Sequence, residues 1–207
     1  MQRRPSPVVL ADTIPSTALA PASLGLLRDV VLVLGSAAAM GVLAQLSLPF
    51  VPVPITGQTL GVLLLGAVLG GRRGALAMLA YLGEGLVGLP VFANGASAWT
   101  PSSVGMPTIL GPTAGYLASF PLAAYVVGAL AERGWDRRVW SAGAAMVVGQ
   151  AIIYGLGAAW LAQFVGPDRA IAAGIVPFLV GDALKLVVAT VLLPSGWHVV
   201  RSVQGVR

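Results

Sequence analysis

Three ionisable side chains stand in stretches of the chain that are otherwise apolar: Glu84, Asp182 and Lys185. Asp182 and Lys185 are three residues apart, so on a helix they share a face and can form an ion pair. An ionisable group in the middle of a membrane costs about 2.5–3.5 kcal/mol to insert, and such groups mark functional sites. We therefore predict a polar site at Asp182 and Lys185, with an ion pair that only joins helices as the alternative. Glu84 is a further candidate, because its short apolar stretch would leave it near water.

Uncharged polar residues gather at the ends of the apolar stretches. Thr56 and Gln58 follow the segment VPVPI, Asn94 follows the third apolar stretch, and Tyr116 begins the fourth. Singly, these residues fit helix caps or anchors at the membrane interface. Together they predict a polar pocket on one side of the membrane, covered by two loops.

Small residues recur four positions apart in the first apolar stretch, as the pairs Gly35/Ala39 and Ala37/Gly41. This spacing lets another helix approach closely. It predicts either packing inside the bundle or docking to a separate membrane subunit.

The composition excludes most classes of soluble protein. Apolar residues make up 57% of the 207 residues and charged residues 9%, whereas soluble domains carry about 25% charged residues. The mean hydropathy of +0.89 therefore indicates a membrane protein. Despite the isoelectric point of about 10.5 we expect no nucleic-acid partner, because the basic residues are explained by the orientation of the protein in the membrane. With 0 Cys and 1 His, the chain offers no disulfide, thiolate metal site or paired-His site, so we expect no metal or cofactor. Its single lysine lies outside any GxxxxGK[ST] motif, which excludes a P-loop ATPase.

The apolar stretches predict an all-α membrane protein, a bundle of six transmembrane helices bounded by prolines and glycines. About 20 apolar residues are needed to cross a hydrocarbon core. Residues 1–25 contain four prolines and predict a mobile cytoplasmic tail; 26–200 form one transmembrane domain, and 201–207 a cytoplasmic C-terminal tail. The six predicted spans are 26–48, 57–70, 75–89, 111–131, 139–165 and 177–194.

The arginines predict the orientation of this bundle in the cell membrane. Positively charged residues concentrate on the cytoplasmic side, so both termini are expected there, with some attraction to anionic membrane lipid. Ten of the 12 basic residues then lie inside: Arg3, Arg4, Arg28, Arg72, Arg73, Arg133, Arg137, Arg138, Arg201 and Arg207.

Three segments carry a family resemblance that extends over about residues 28–195. They are VPVPITGQTLGVLLLGAVLGGRRGALAMLAYLGEGLVGLPVFANG, GPTAGYLASF and PFLVGDALK. In this order they resemble the BioY family, the biotin-specific substrate-binding (S) components of energy-coupling-factor (ECF) transporters. The resemblance implies high-affinity biotin binding near the outer surface, and a separate transmembrane coupling (T) protein and ATPase subunits that supply energy. It places the family's DxxK motif on Asp182 and Lys185 and a polar Asn on Asn94, and it makes the small residues of the first helix a docking surface.

The chemistry of biotin agrees with these residue types. Its ureido ring has two N–H donors and a carbonyl, and its tail ends in a carboxylate. We expect Asp182 to accept from a ureido N–H and Asn94 to donate to the carbonyl, whereas Lys185 fits either the carbonyl or the tail. The apolar cover over the ring system is expected from Val91, Phe92 and Trp99.

Other functions fit the residues less completely. The same fold could bind another vitamin, or Asp182 could carry protons in an ion-coupled transporter that uses no ATP. An intramembrane enzyme would need a nucleophile, a metal set or paired carboxylates, and no motif of this kind occurs. We therefore expect a binding and transport protein without catalysis.

Overall fold

The computed structural model describes residues 9–13, 22–48 and 50–204. Six main helices and one short helix make up most of these residues: α1 Ala22–Gln45, α2 Gln58–Leu69, α3 Gly71–Leu86, α4 Ala114–Glu132, α5 Val139–Val165, the short α6 Pro167–Gly174 and α7 Leu179–Gln204. A small antiparallel hairpin, β1 Ser47–Leu48 and β2 Ile55–Thr56, joins α1 to α2. The predicted all-α membrane fold with six main helices is confirmed.

Four segments of the described chain are long and apolar enough to cross a membrane: Gly25–Gln45, Ala114–Glu132, Val139–Val165 and Pro167–Ser202. The other two main helices are shorter. α2 has 12 residues and α3 has 16, so at about 1.5 Å per residue neither reaches across a core of about 30 Å. The β1–β2 hairpin precedes α2 and a long loop follows α3, and residues of both segments line a cavity.

Two helix boundaries differ from the prediction. The short α6, of 8 residues, occupies part of the segment between the predicted spans 139–165 and 177–194, where we predicted no helix. α7 continues through Pro194, the expected end of the last span, as far as Gln204. A proline inside a membrane helix is tolerated where neighbouring groups satisfy the freed carbonyl. The helix thus includes the first residues of the expected C-terminal tail, and residues 205–207 lie outside the described part of the chain.

Glycines bring α4 against the junction of α2 and α3. A Cβ atom on Gly66 would lie 2.7 Å from the carbonyl oxygen of Ala124, and one on Gly128 would lie 2.4 Å from the backbone of Gly70 and Gly71. Only a residue without a Cβ fits such distances. Membrane helices pack by van der Waals contact between such close surfaces, because lipid provides no hydrophobic drive between helices.

Residues 9–13 differ from the mobile tail expected for residues 1–25. Leu10–Thr13 form a 3₁₀ turn in which Val9 and Ala11 are buried. Asp12 Oδ1 accepts from Arg73 Nη1 of α3 at 2.7 Å and from Arg28 Nη2 of α1 at 3.3 Å. The apolar side chains and this carboxylate together hold the turn against the helix ends. Residues 1–8 and 14–21 of the expected tail lie outside the described part of the chain, and α1 begins at Ala22.

Asp12→Ala is expected to lower the free energy of unfolding by up to about 1 kcal/mol, the range of partly exposed ion pairs. The loss is small because Arg73 keeps a second partner, Asp29, at 3.0 Å. Thermal unfolding in detergent at low and high salt measures it. The difference between variant and wild type should shrink at high salt, since salt screens the pairs. An undiminished difference would show that apolar packing, and not the ion pairs, holds the turn.

Candidate functional site

A cavity of about 340 Å³ lies among the hairpin, the α3–α4 loop and the helices α2, α4, α5 and α7. Its volume falls within the range of small-molecule sites. Much of its wall is apolar and aromatic. Its polar side chains form two groups, one where α2, α5 and α7 meet and the other on the loop between α3 and α4. The aromatic part of the lining consists of Phe50, Phe92, Tyr116, Phe120, Tyr154 and Phe178.

Asp182, 2% exposed, is the centre of the polar wall. Its Oδ1 accepts from Lys185 Nζ at 2.5 Å and from Thr59 Oγ1 at 3.0 Å. Its Oδ2 accepts from Gln150 Nε2 and from the Tyr154 hydroxyl, both at 2.7 Å. A carboxylate offers about four lone-pair sites, so donors from α2, α5 and α7 fill the acceptor capacity of Asp182.

Lys185 ties α7 to the beginning of α2. Besides Asp182, its ammonium donates to the backbone oxygen of Thr56 at 2.6 Å and to Thr59 Oγ1 at 3.1 Å. An ammonium has three donors, and all three have partners here. A buried charge pair is stable only when its remaining donors and acceptors are satisfied in this way.

A second hydrogen-bonded chain links α2 to α3 beside the ion pair. Thr56 Oγ1 donates to Gln58 Oε1 at 2.9 Å, Gln58 Nε2 donates to the Tyr81 hydroxyl at 2.8 Å, and Tyr81 donates to the Val91 carbonyl at 3.1 Å. Thr56 and Gln58 line the cavity. The chain therefore connects the polar wall to the loop that follows α3.

Asn94 reaches the cavity from that loop. Its φ of 58° is in the left-handed region, which Asn tolerates better than most residues, and its Oδ1 accepts from Ser47 Oγ at 2.7 Å. Gln45, at the end of α1, holds the same segment by donating to the Phe92 carbonyl and accepting from Gly95 N. The loop is thus anchored to α1 on both sides of Asn94.

The structure brings six of the seven predicted site residues to the cavity: Thr56, Gln58, Asn94, Tyr116, Asp182 and Lys185. Tyr116 also donates to the Gly174 carbonyl at 2.8 Å, which joins α4 to the end of α6. Glu84 is the exception: it is half-buried on α3 and is not part of the lining. Of the expected apolar cover, Phe92 lines the cavity, whereas Val91 does not, and Trp99 donates instead to the Leu86 carbonyl.

Sequence reasoning missed the role of two α5 residues. Gln150 and Tyr154 were not among the predicted site residues, yet both donate to Asp182. Their signal was present, because residues four apart lie on one face of a helix, and both are polar within an apolar α5. Nothing in the sequence shows which helix that face meets.

The small residues of α1 divide between two faces. Gly35 and Ala39 are exposed, whereas Ala37 and Gly41 are buried against the bundle. Positions two apart on a helix differ by about 200°, so the two pairs cannot share a surface. Ala37 and Gly41 pack inside the protein, the first of the two alternatives, so only Gly35 and Ala39 are left accessible to a partner helix.

The described residues contain no cluster of three or more His, Cys, Asp or Glu side chains that could hold a metal ion. The chemistry that the cavity offers is hydrogen bonding from a buried polar wall, opposite a largely apolar surface. Such a site suits a small molecule with a polar head and an apolar body.

Comparison with known proteins gives a consistent result. A model of the BioY family matches residues 13–202. A biotin transporter BioY of Rhizobium etli is 40% identical over 80% of this chain and 90% of its own, and one of Thermotoga maritima is 43% identical over 72% and 83%. A solved S-component for biotin from an ECF-type ABC transporter has a similar fold, with a TM-score of 0.72 and 23% identity over 85% of this chain and 94% of its own. The chain belongs to the BioY family.

Proposed function

We propose that this chain binds biotin in the cavity and takes it up across the cell membrane as the S component of an ECF-type ABC transporter. The observation that carries the proposal is the match, at about 40% identity and over most of both chains, to proteins named biotin transporters. The chain binds its solute and catalyses no reaction, and ATP hydrolysis by separate subunits provides the energy.

The shape and polarity of the cavity support biotin as the ligand. Biotin has a polar ureido group and an apolar bicyclic body, and the cavity has a polar wall around Asp182 and Lys185 beside aromatic surfaces. We propose that the ureido group lies against this wall and that Asn94 contacts it from the loop side. Thr56, Gln58 and Tyr116 are further ligand-binding residues in this proposal. A buried polar group that loses its partner costs about 1–3 kcal/mol, so such a wall would reject analogues that lack the ureido group.

The charge distribution supports an orientation with both termini in the cytoplasm. Asp12 bonds Arg28 and Arg73, and Trp197 of α7 donates to Asp136 in the α4–α5 turn. These contacts gather the basic α2–α3 and α4–α5 connections, the start of α1 and the last part of α7 at one end of the bundle. Positive charge favours the cytoplasmic side, so the cavity would face outward.

The proposed partners are a transmembrane T protein and a pair of ATPase subunits. The sequence has no P-loop motif, and its one lysine, Lys185, bonds Asp182 and Thr56 instead of a nucleotide phosphate. ATP hydrolysis would therefore come from separate subunits. Gly35 and Ala39 are exposed on α1, and a Cβ built on Gly35 has no atom within 4 Å. This narrow stripe fits a closely approaching helix of the T protein.

Calorimetric titration of biotin into the purified chain in detergent tests the ligand. We expect tight binding of one biotin per chain, because the site lies within one polypeptide. Thiamin and riboflavin should not compete with biotin, because the polar wall is proposed to recognise the ureido group. Binding of another vitamin in place of biotin would contradict the proposed ligand.

Uptake into vesicles that contain the full complex tests the energy source. Uptake should stop when ATP is depleted and should survive collapse of the proton gradient. The reverse pattern would favour an ion-coupled transporter.

A further inference from the structure

The hydrogen bonds of Asp182 limit what a ligand can do there. Each carboxylate oxygen already accepts two hydrogen bonds, from Lys185 and Thr59 on one side and from Gln150 and Tyr154 on the other. An N–H of a ligand could bond this carboxylate only by displacing one of these donors. A displaced donor would be left buried without a partner, at a cost comparable to the gain.

Of the two residues that donate to Asp182 Oδ2, Tyr154 is the one that a ligand in the cavity can contact. It lines the cavity, whereas Gln150 is 6% exposed and lies outside the lining. A phenolic hydroxyl is both donor and acceptor. Since the Tyr154 proton is given to Asp182, its oxygen presents acceptor capacity to a ligand donor. A hydroxyl that donates to a carboxylate is also polarised and becomes a better acceptor.

We infer that Tyr154 accepts a ureido N–H of biotin, and that Asp182 acts as a positioning residue that orients the Tyr154 hydroxyl and the Lys185 ammonium. The inference rests on the proposed function and deepens it. It replaces the expectation that Asp182 itself accepts the ureido N–H. Gln150 is a second positioning residue. It lies outside the cavity lining, and its hydrogen bond to Oδ2 holds the Asp182 carboxylate in place.

Specificity follows from the direction of these hydrogen bonds. The Tyr154 proton is directed to Asp182 Oδ2 at 2.7 Å, so the oxygen that remains for the ligand is an acceptor. If a ligand placed a carbonyl oxygen beside the Tyr154 hydroxyl, two acceptor oxygens would face each other with no proton between them. The wall therefore selects a ring N–H at this position and rejects an oxygen of the same shape.

The experiment pairs a change in the protein with a change in the ligand. The protein variants are Tyr154→Phe and, as a matched control, Tyr125→Phe, a tyrosine that is 48% exposed on α4 and outside the lining. The ligands are biotin and its two cyclic carbamate analogues, in each of which one ureido N–H is replaced by a ring oxygen. Calorimetry gives the dissociation constants, and thermal unfolding shows whether each variant is folded.

We expect Tyr154→Phe to bind biotin about tenfold more weakly than wild type, the effect of one hydrogen bond in a buried site. One carbamate analogue should bind the wild-type chain at least about tenfold more weakly than biotin does. The same analogue should bind wild type and Tyr154→Phe with equal affinity. This coupling between one hydroxyl and one N–H is the signature of direct contact, and a merely structural role would not produce it. Tyr125→Phe should bind all three ligands as wild type does.

Two results would overturn the assignment. If Asp182 bonds the ligand directly, Tyr154→Phe frees Oδ2 and biotin binding stays unchanged or tightens. If the losses from the variant and from both analogues simply add, Tyr154 does not contact the ureido group. Failure of wild type to bind biotin would overturn the proposed function itself, a distinct outcome because it appears before any variant is compared.

Should Tyr154→Phe fail to fold, fluorotyrosine labelling of the otherwise unchanged chain provides a second measurement. The ¹⁹F signal from position 154 should shift with biotin and shift less with the carbamate analogue that lacks the bonded N–H. Equal shifts with biotin and both analogues would overturn the assignment.

Discussion

Asp182→Asn is expected to lower the free energy of unfolding by about 3–5 kcal/mol and to weaken biotin binding more than about tenfold. The substitution keeps the shape of the side chain but removes the only negative charge among the described residues of the lining, and so takes away the carboxylate that pairs with the Lys185 ammonium. It also turns one oxygen into an NH₂ donor, which would face donors that now bond the carboxylate: either Lys185 and Thr59, or Gln150 and Tyr154.

A double variant separates the effect on stability from the effect on binding. Asp182→Asn combined with Lys185→Met removes both charges, and paired removal of buried charges is often neutral for stability. We expect the double variant to regain much of the lost stability, measured by thermal unfolding in detergent. Its biotin affinity, measured by calorimetry, should stay low because the polar wall is no longer charged. Wild-type affinity in the single and the double variant would contradict the site assignment.

Gly128→Ala is expected to destabilise the protein by about 3 kcal/mol or more, at the upper end of the cost of overpacking. The added Cβ would lie 2.4 Å from the backbone of Gly70 and Gly71. Backbone atoms cannot rotate away as the end of a flexible side chain can, so α4 must move away from the α2–α3 junction. Thermal unfolding and the yield of monodisperse protein measure the effect.

Gly83→Ala is the matched control for this prediction. Gly83 lies on α3, and a Cβ built on it has no atom within 4 Å. Alanine is favoured over glycine in a helix by about 0.5–1 kcal/mol, so this variant should be as stable as wild type or slightly more stable. Equal destabilisation by both substitutions would show that the close approach at Gly128 is not what limits stability.

Much of the architecture follows from the sequence because the signals are local. Runs of apolar residues predict helices that cross a membrane, and the six main helices of the structure correspond to the six predicted spans. The pairing of Asp182 with Lys185 is equally local, since a spacing of three fixes a shared helix face. The ends of the spans are less well determined, as the continuation of α7 through Pro194 shows.

The partners of that ion pair depend on residues far away in the chain. Gln150 and Tyr154 on α5 and Thr59 on α2 meet Asp182 from 28 to 123 positions away. The sequence marks these residues as polar but does not show which helices face one another. Glu84 is equally unusual for a membrane helix, yet it lies outside the cavity lining. Its charge marks it as a candidate, but the direction in which its helix face turns depends on tertiary packing.

The membrane class, the six main helices and the ion pair follow from the order of residues along the chain, whereas the side of each helix that turns inward depends on how the helices pack. In a soluble protein the polar face of a helix shows which side meets water. In a membrane, lipid is as apolar as the protein core, so Gly35 and Ala37 look equivalent in the sequence. Close packing alone exposes Gly35 and buries Ala37, and it brings Tyr154 to Asp182.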